Sequence, residues 1–188
     1  MKNKALFNYY PNFLTNNESY YLLKMLQTTI SWESDELIIF GKKMQVPRLT
    51  AWYCRNGRTY KYSGNTKSSI KEFHLLDNLI KRVSCFLKLD FNGVLLNYYR
   101  DGNDSVSWHR DDEKQLGNKI DLATLSLGTA RPFLLRNTSS RKTQKLVLQN
   151  GSLFLMRHPF QRHYHHSLPK AMNIKKIRIS VTFRKIIE

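Results

Sequence analysis

His109 and Asp111 stand two residues apart in the stretch Asn97 to Glu113. Side chains at i and i+2 of an extended segment project from one face, so a single strand end can aim an imidazole and a carboxylate at one point. That is two thirds of a metal site. The run His163-Tyr164-His165-His166-Ser167-Leu168-Pro169 offers the third donor. Two histidines and one carboxylate on one side of an ion leave its other positions open, the facial arrangement of non-haem Fe(II) oxygenases. Taken alone the pair is a weak signal, because a polar His and Asp in a loop are mostly just solvated. Periodicity leaves the third ligand open: His163 and His165 share one strand face, Tyr164 and His166 the other.

The end of the chain strengthens the case. From Ile177 to Arg184 apolar residues hold the odd positions and Arg178, Ser180, Thr182 and Arg184 the even ones, the alternation of a strand with two different faces. Both arginines therefore point the same way, about 20 Å apart along the strand. They could sit on an exposed face or bracket an anionic co-substrate, and the planar guanidinium fork suits a carboxylate. Asn97 and Tyr99 also share one face and can donate hydrogen bonds.

The set Asn97-x-Tyr99, His109-x-Asp111, His166 and Arg178-x5-Arg184 resembles the AlkB family of Fe(II)- and 2-oxoglutarate-dependent dioxygenases. Phe40-Gly41-Lys42, Val46-Pro47-Arg48, Tyr60-x-Tyr62-Ser63-Gly64, His109-Arg110-Asp111-Asp112-Glu113, His166-Ser167-Leu168-Pro169 and Thr182-Phe183-Arg184-Lys185 read like its duplex-DNA repair branch, in that order. Six separated matches are far more specific than any one. The resemblance implies Fe(II) on His109, Asp111 and His166, choosing His166 over His165. It implies 2-oxoglutarate on Asn97, Tyr99, Arg178, Ser180 and Arg184, with Arg178 at the distal carboxylate and Arg184 at the metal end. The family commonly has Asn where this chain has Ser180.

The activity so implied is oxidative removal of N-methyl groups from bases such as 1-methyladenine and 3-methylcytosine, with release of formaldehyde, succinate and CO2. A base inside a duplex must be flipped out to react. The resemblance stacks it between Tyr62 and His109, reads its edge with Tyr60, Asp112 and Glu113, and puts Arg48 and Arg110 on the substrate side. Ile39-Phe40-Gly41 corresponds to an apolar finger that fills the vacated stack, a known kind of wedge. Demethylation of RNA or single strands is the enzymatic alternative, and a non-catalytic nucleic-acid-binding module the other. A pure binder has no use for three ligands and two arginines.

These residues need elements to hold them. Thr15 as N-cap opens an amphipathic helix through Thr28, with Tyr21, Leu22, Met25 and Leu26 as its core stripe. Ser69 and Glu72 form a capping box for a second helix carrying Phe73, Leu76, Ile80, Val83 and Leu87. Between them, residues 36 to 66 read as strands and turns in which cations alternate with Trp52, Tyr53, Tyr60 and Tyr62. That pattern suits base stacking with phosphate contact, and equally an ordinary aromatic sheet with a solvated cationic face. From Gly93 on, eight short strands are predicted, at 94–99, about 106–109, 121–127, 132–136, 145–149, 152–156, 163–166 and 177–185, the mark of a sandwich or jelly roll.

The resemblance makes this a double-stranded β-helix, a mainly β member of the α+β class. One domain is expected, with N-terminal helices and a nucleotide-recognition lid in residues 1–92 and the jelly-roll catalytic core in 93–188. The 188 residues suffice for a core without disulfides, and Cys54 and Cys85 read as free thiols in a reducing compartment. With 31 Lys and Arg against 14 acidic residues, the formal charge of +17 points to a polyanionic partner, nucleic acid most simply, and the resemblance implies double-stranded DNA with alkylated bases. No apolar run is long enough for a membrane span or a secretory signal. A soluble intracellular monomer is expected, nuclear in a eukaryote and cytoplasmic in a bacterium.

Overall fold

A computed structural model describes residues 5–39, 41–62 and 65–187 of the chain. Strand β1 (Phe7–Tyr10) leads into helix α1 (Asn16–Thr29), then β2 (Glu33–Ile39), β3 (Lys42–Cys54), and the short pair β4 (Tyr60–Tyr62) and β5 (Asn65–Lys67). Helix α2 (His74–Leu87) is followed by β6 (Gly93–Tyr99), β7 (Val106–His109), β8 (Leu122–Gly128), β9 (Arg131–Asn137), β10 (Thr143–Leu148) and β11 (Leu153–Met156). A single turn of helix, α3 (Phe160–His163), precedes β12 (Tyr164–Leu168) and β13 (Arg178–Arg184).

The strands form a seven-stranded sheet in the order β1-β11-β8-β13-β6-β3-β2 and a four-stranded sheet in the order β10-β9-β12-β7. Every pairing is antiparallel, as in the expected jelly roll. The larger sheet draws three of its strands, β1, β2 and β3, from the first 92 residues and the other four from the rest of the chain.

The period-two pattern of β13 explains the layering. Ile179, Val181 and Phe183 join the core that α1 and α2 cover, with Leu22, Leu26, Leu76, Ile80 and Val83. The alternate residues Arg178, Ser180, Thr182 and Arg184 turn to the cavity between the sheets. A second apolar cluster, including Phe133, Leu135, Phe154, Phe160 and Leu168, fills the rest of that space. The sheet is therefore buried on both faces, one dry and one lined with functional groups.

Helix α1 starts as its sequence predicts: Thr15 Oγ1 accepts from the Glu18 N–H, and Glu18 Oε2 accepts from the Thr15 N–H at 2.8 Å. Tyr21, expected in its core stripe, is 57% exposed, and the buried stripe is Ser19, Leu22 and Leu26. The Ser69–Glu72 capping box does not form. Helix α2 begins later, behind Phe73, with no side-chain cap. Ser69 Oγ instead accepts from the Cys54 N–H at 2.9 Å and is spent on the end of β3. Among the described residues no helix is long and apolar enough to cross a membrane.

Candidate active site

Directly opposed residues of antiparallel strands face the same side, and this sets the floor of the cavity. Across β6, β13 and β8 the rows run Tyr99–Arg178–Gly128, Asn97–Ser180–Ser126 and Leu95–Thr182–Thr124. The smaller sheet supplies the roof. His109 ends β7 and stands in register with His166 on the adjacent β12, their ring centroids 4.2 Å apart.

Asp111 follows two residues later, buried, with its N–H donating to Gln161 Oε1 at 3.2 Å. Its Oδ2 lies 3.6 Å from His166 Nε2, and the donor atoms of His109, Asp111 and His166 all fall within 4.8 Å of one another. His163 and His165 are outside this group.

The protonation states suit a cation. His109 Nδ1 lies 2.8 Å from the Ser107 carbonyl oxygen, which can only accept, so Nδ1 carries the proton and Nε2 keeps its lone pair. Burial, helped by the neighbouring His166, lowers the His109 pKa to about 4, and the ring is neutral at neutral pH. Burial works against the Asp111 carboxylate, but Arg184, His166 and His109 together outweigh it and hold its pKa below the usual carboxylate range. A neutral imidazole and an ionised carboxylate are what metal ligation requires.

The two arginines are both about fully buried, at 1% and 2% exposure, and differ in their surroundings. Arg178 Nη2 donates to Ser126 Oγ at 2.9 Å and its guanidinium lies 5.3 Å from the Tyr99 ring centre. Its Nε and Nη1 are buried without a hydrogen-bond partner among the described residues, and burial pushes its pKa down to about 10. Open N–H donors on a buried cation are costly unless an anion meets them. A carboxylate such as the distal end of 2-oxoglutarate fits them.

Arg184 is enclosed by the protein itself. Its Nη2 donates to Asp111 Oδ1 at 3.1 Å, its Nη1 lies 3.5 Å from Glu113 Oε2 and also donates to the Tyr60 hydroxyl, and the guanidinium stacks 5.0 Å from the Tyr60 ring centre.

The substrate-side residues divide. Arg110 and Asp112 pair at 2.5 Å, half-exposed at the rim. Glu113 faces Arg184, and burial raises its pKa despite that cation. Tyr60, expected at the base edge, is fully buried and stacked on Trp52 at 4.5 Å between centroids. Trp52 and Tyr53 are also buried, so the aromatic-sheet alternative holds for these three. Arg48 is buried too. Its Nε donates to Asn97 Oδ1 at 2.8 Å, orienting a residue of the cavity floor. Phe40, Ser63 and Gly64 lie outside the described residues.

Two contributors carried no sequence signal. Gln161 holds the Asp111 backbone. Arg131, fully buried, forks onto the carbonyls of Asp101, Asp104 and Pro169 at 2.8–2.9 Å and fixes the loops beside Tyr99. Neither has periodic or motif neighbours that mark it.

A jelly roll whose open interior gathers two histidines, a carboxylate and two buried arginines defines an oxygenase of the Fe(II)- and 2-oxoglutarate-using class. The chain belongs to the 2OG-Fe(II) oxygenase superfamily, whose family model matches residues 7–184, and within it to the AlkB family. Fe(II) and 2-oxoglutarate are the cofactors of that superfamily. The chain is 39% identical over 157 residues to DNA oxidative demethylase ALKBH2 of Bos taurus, covering 79% of this chain and 56% of the relative. It is 32% identical over 187 residues to alpha-ketoglutarate-dependent dioxygenase alkB homolog 3 of Homo sapiens, covering 94% and 65%. The chain thus spans 56% to 65% of the length of these two curated relatives. The solved structure of OsALKBH1 shares the fold, with TM-score 0.64 at 18% identity over 98% of this chain and 99% of that one.

Proposed function

We propose that this chain is an oxidative demethylase of nucleic-acid bases, acting on lesions such as 1-methyladenine and 3-methylcytosine in double-stranded DNA. The observation that carries the reading is one cavity holding His109, Asp111 and His166 at one end and the open Arg178 donors at the other. The names of the relatives and the +17 charge support a nucleic-acid substrate.

His109, Asp111 and His166 would hold Fe(II) on one face. The metal held there, with O2 and 2-oxoglutarate, would supply the oxidation that hydroxylates the methyl carbon while succinate and CO2 leave; the resulting hemiaminal would give up its hydroxyl proton, release formaldehyde and leave the ring nitrogen with its lone pair free for base pairing. Arg178 receives the distal carboxylate of 2-oxoglutarate, with Asn97, Tyr99 and Ser180 along its length and Arg48 holding Asn97. Arg184 keeps Asp111 ionised and oriented at the metal end. Tyr62 and His109 would stack the flipped base, Arg110, Asp112 and Glu113 guide it at the rim, Tyr60 braces Arg184, and Phe40 fills the gap in the duplex.

The test is formaldehyde release, dependent on Fe(II) and 2-oxoglutarate, from matched single- and double-stranded oligonucleotides bearing 1-methyladenine or 3-methylcytosine. Faster turnover on the duplex is expected. Turnover confined to RNA or single strands would replace the duplex reading, and no release from any of them would remove the enzyme reading.

A further inference from the structure

The strands β4 and β5 have three residues each, and a two-stranded sheet that short does not hold its shape unaided. On the β5 side, Asn65 Nδ2 donates to the Glu36 carbonyl at 3.0 Å, and buried Lys67 pairs with Asp35 at 2.7 Å and Glu33 at 3.2 Å. On the β4 side Tyr60 is buried against Trp52 and Trp52 Nε1 donates to the Arg58 carbonyl at 2.8 Å, while Gln115 is the side chain that, among the described residues, bonds the backbone at both Thr59 and Lys61. Its Oε1 accepts the Lys61 N–H at 2.8 Å and its Nε2 donates to the Thr59 carbonyl at 3.2 Å. A primary amide offers one acceptor and two donors, so Gln115 gives the outer edge of β4 the paired bonds that a neighbouring strand would give.

Gln115 is itself well anchored. Its carbonyl accepts the Ile187 N–H at 3.0 Å, and the next residue, Leu116, is buried with Trp52, Tyr60 and Ile186. It also lies in the segment that continues from Asp111 through Glu113. The strand that carries Tyr60 and Tyr62 therefore hangs from the same loop that presents a metal ligand.

We propose that Gln115 is a positioning residue that pins the lid strand to the metal-ligand loop and so fixes where the lid meets a methylated nucleotide. The inference deepens the proposed demethylase reading and rests on it. Among the described residues Gln115 does not line the cavity that holds Arg178, so its loss should act on nucleic-acid recognition and spare co-substrate binding.

Two measurements test this on Gln115→Ala: amide hydrogen exchange at Lys61 in the protein without nucleic acid, and steady-state kinetics on a 1-methyladenine oligonucleotide. Loss of the bonds should speed Lys61 exchange and raise the oligonucleotide KM, each about tenfold, with kcat and the 2-oxoglutarate KM within about twofold. Gln115→Glu keeps an acceptor for Lys61 and sets an oxygen against the Thr59 carbonyl; it should leave Lys61 exchange near the original and raise the oligonucleotide KM less. Should the Ala variant fail to fold, Gln115→Met, which keeps the side-chain length without the amide, carries the same two readouts. Unchanged Lys61 exchange in Gln115→Ala, or equal rises in both KM values, overturns the proposal. A parent protein that releases no formaldehyde defeats the demethylase reading instead, and the exchange result still decides whether the pin exists.

Discussion

Arg178 and Arg184 lie on one strand and one face, are equally buried, and have opposite fates. Arg184 is met by Asp111, Glu113 and Tyr60, whereas Arg178 has two buried nitrogens, Nε and Nη1, without a hydrogen-bond partner among the described residues. At one end of the site the protein itself answers the cation, and at the other the proposed reading places the distal carboxylate of 2-oxoglutarate. An isolated buried cation costs stability, a cost that a carboxylate bound there would offset. A buried arginine is therefore read by its partners, and burial alone does not say whether it binds or braces.

The metal end can be broken outright. His166→Ala should weaken Fe(II) binding by more than about a hundredfold, since even an outer-shell partner is worth ten- to a hundredfold. His165→Ala should leave it unchanged. Metal titration of the two purified variants checks this, and the reverse result would move the third ligand by one residue.

The two arginines should then separate in sign. Arg184→Leu leaves buried Asp111 and partly buried Glu113 without their cation and should cost about 3–5 kcal/mol of stability, whereas Arg178→Leu should leave the ligand-free protein as stable or more so. Arg178→Leu should raise the 2-oxoglutarate KM at least about thirtyfold, and Arg178→Lys should not restore it because a point charge lacks the fork. Urea midpoints and co-substrate titrations read both effects. Equal destabilisation by the two leucines would end the contrast.

A smaller effect is expected at the substrate side. Unstacking a duplex costs a few kcal/mol, and a single strand has no gap to fill. Phe40→Ala should lower kcat/KM on methylated duplex about tenfold and spare the single strand. Equal losses on both substrates would make Phe40 a fold residue.

The smallest expected effect concerns pH. His109 has its pKa lowered from 6.5 to about 4, so the unfolded chain takes up that proton first as pH falls. The resulting cost is absent above pH 6.5 and grows as pH falls from 6.5 toward 4. In metal-free protein the urea midpoint should drop from pH 7 to pH 5, and His109→Asn should flatten part of that drop. Fe(II) affinity should lose nothing to His109 protonation until pH approaches 4.

Much of this was legible because local geometry wrote it. A strand has period two, so the alternation in 177–185 announced β13 and the shared face of its arginines, and the predicted strands from β6 onward all formed within about two residues of their expected ends. Thr15 and Glu18 cap α1 because both bonds lie within one turn. His109 and Asp111 needed only the i, i+2 rule, and the match around His166 chose among neighbouring histidines that geometry then separated.

What the sequence could not decide depends on residues far apart in the chain. Ser69 had a free choice between capping α2 and bonding to β3, and the distant strand won. Tyr60 and Arg48 carry the types expected of a nucleic-acid surface, yet folding turned them inward to Arg184 and Asn97, 124 and 49 residues away. Gln161, Arg131 and Gln115 have no periodic signature, since one polar side chain reaching a backbone 50 or 54 positions off leaves no local trace. Residue types and spacing determined which groups could bind a metal and an anion; only tertiary pairing decided which charges were already answered, because partner distance is a property of the packed chain.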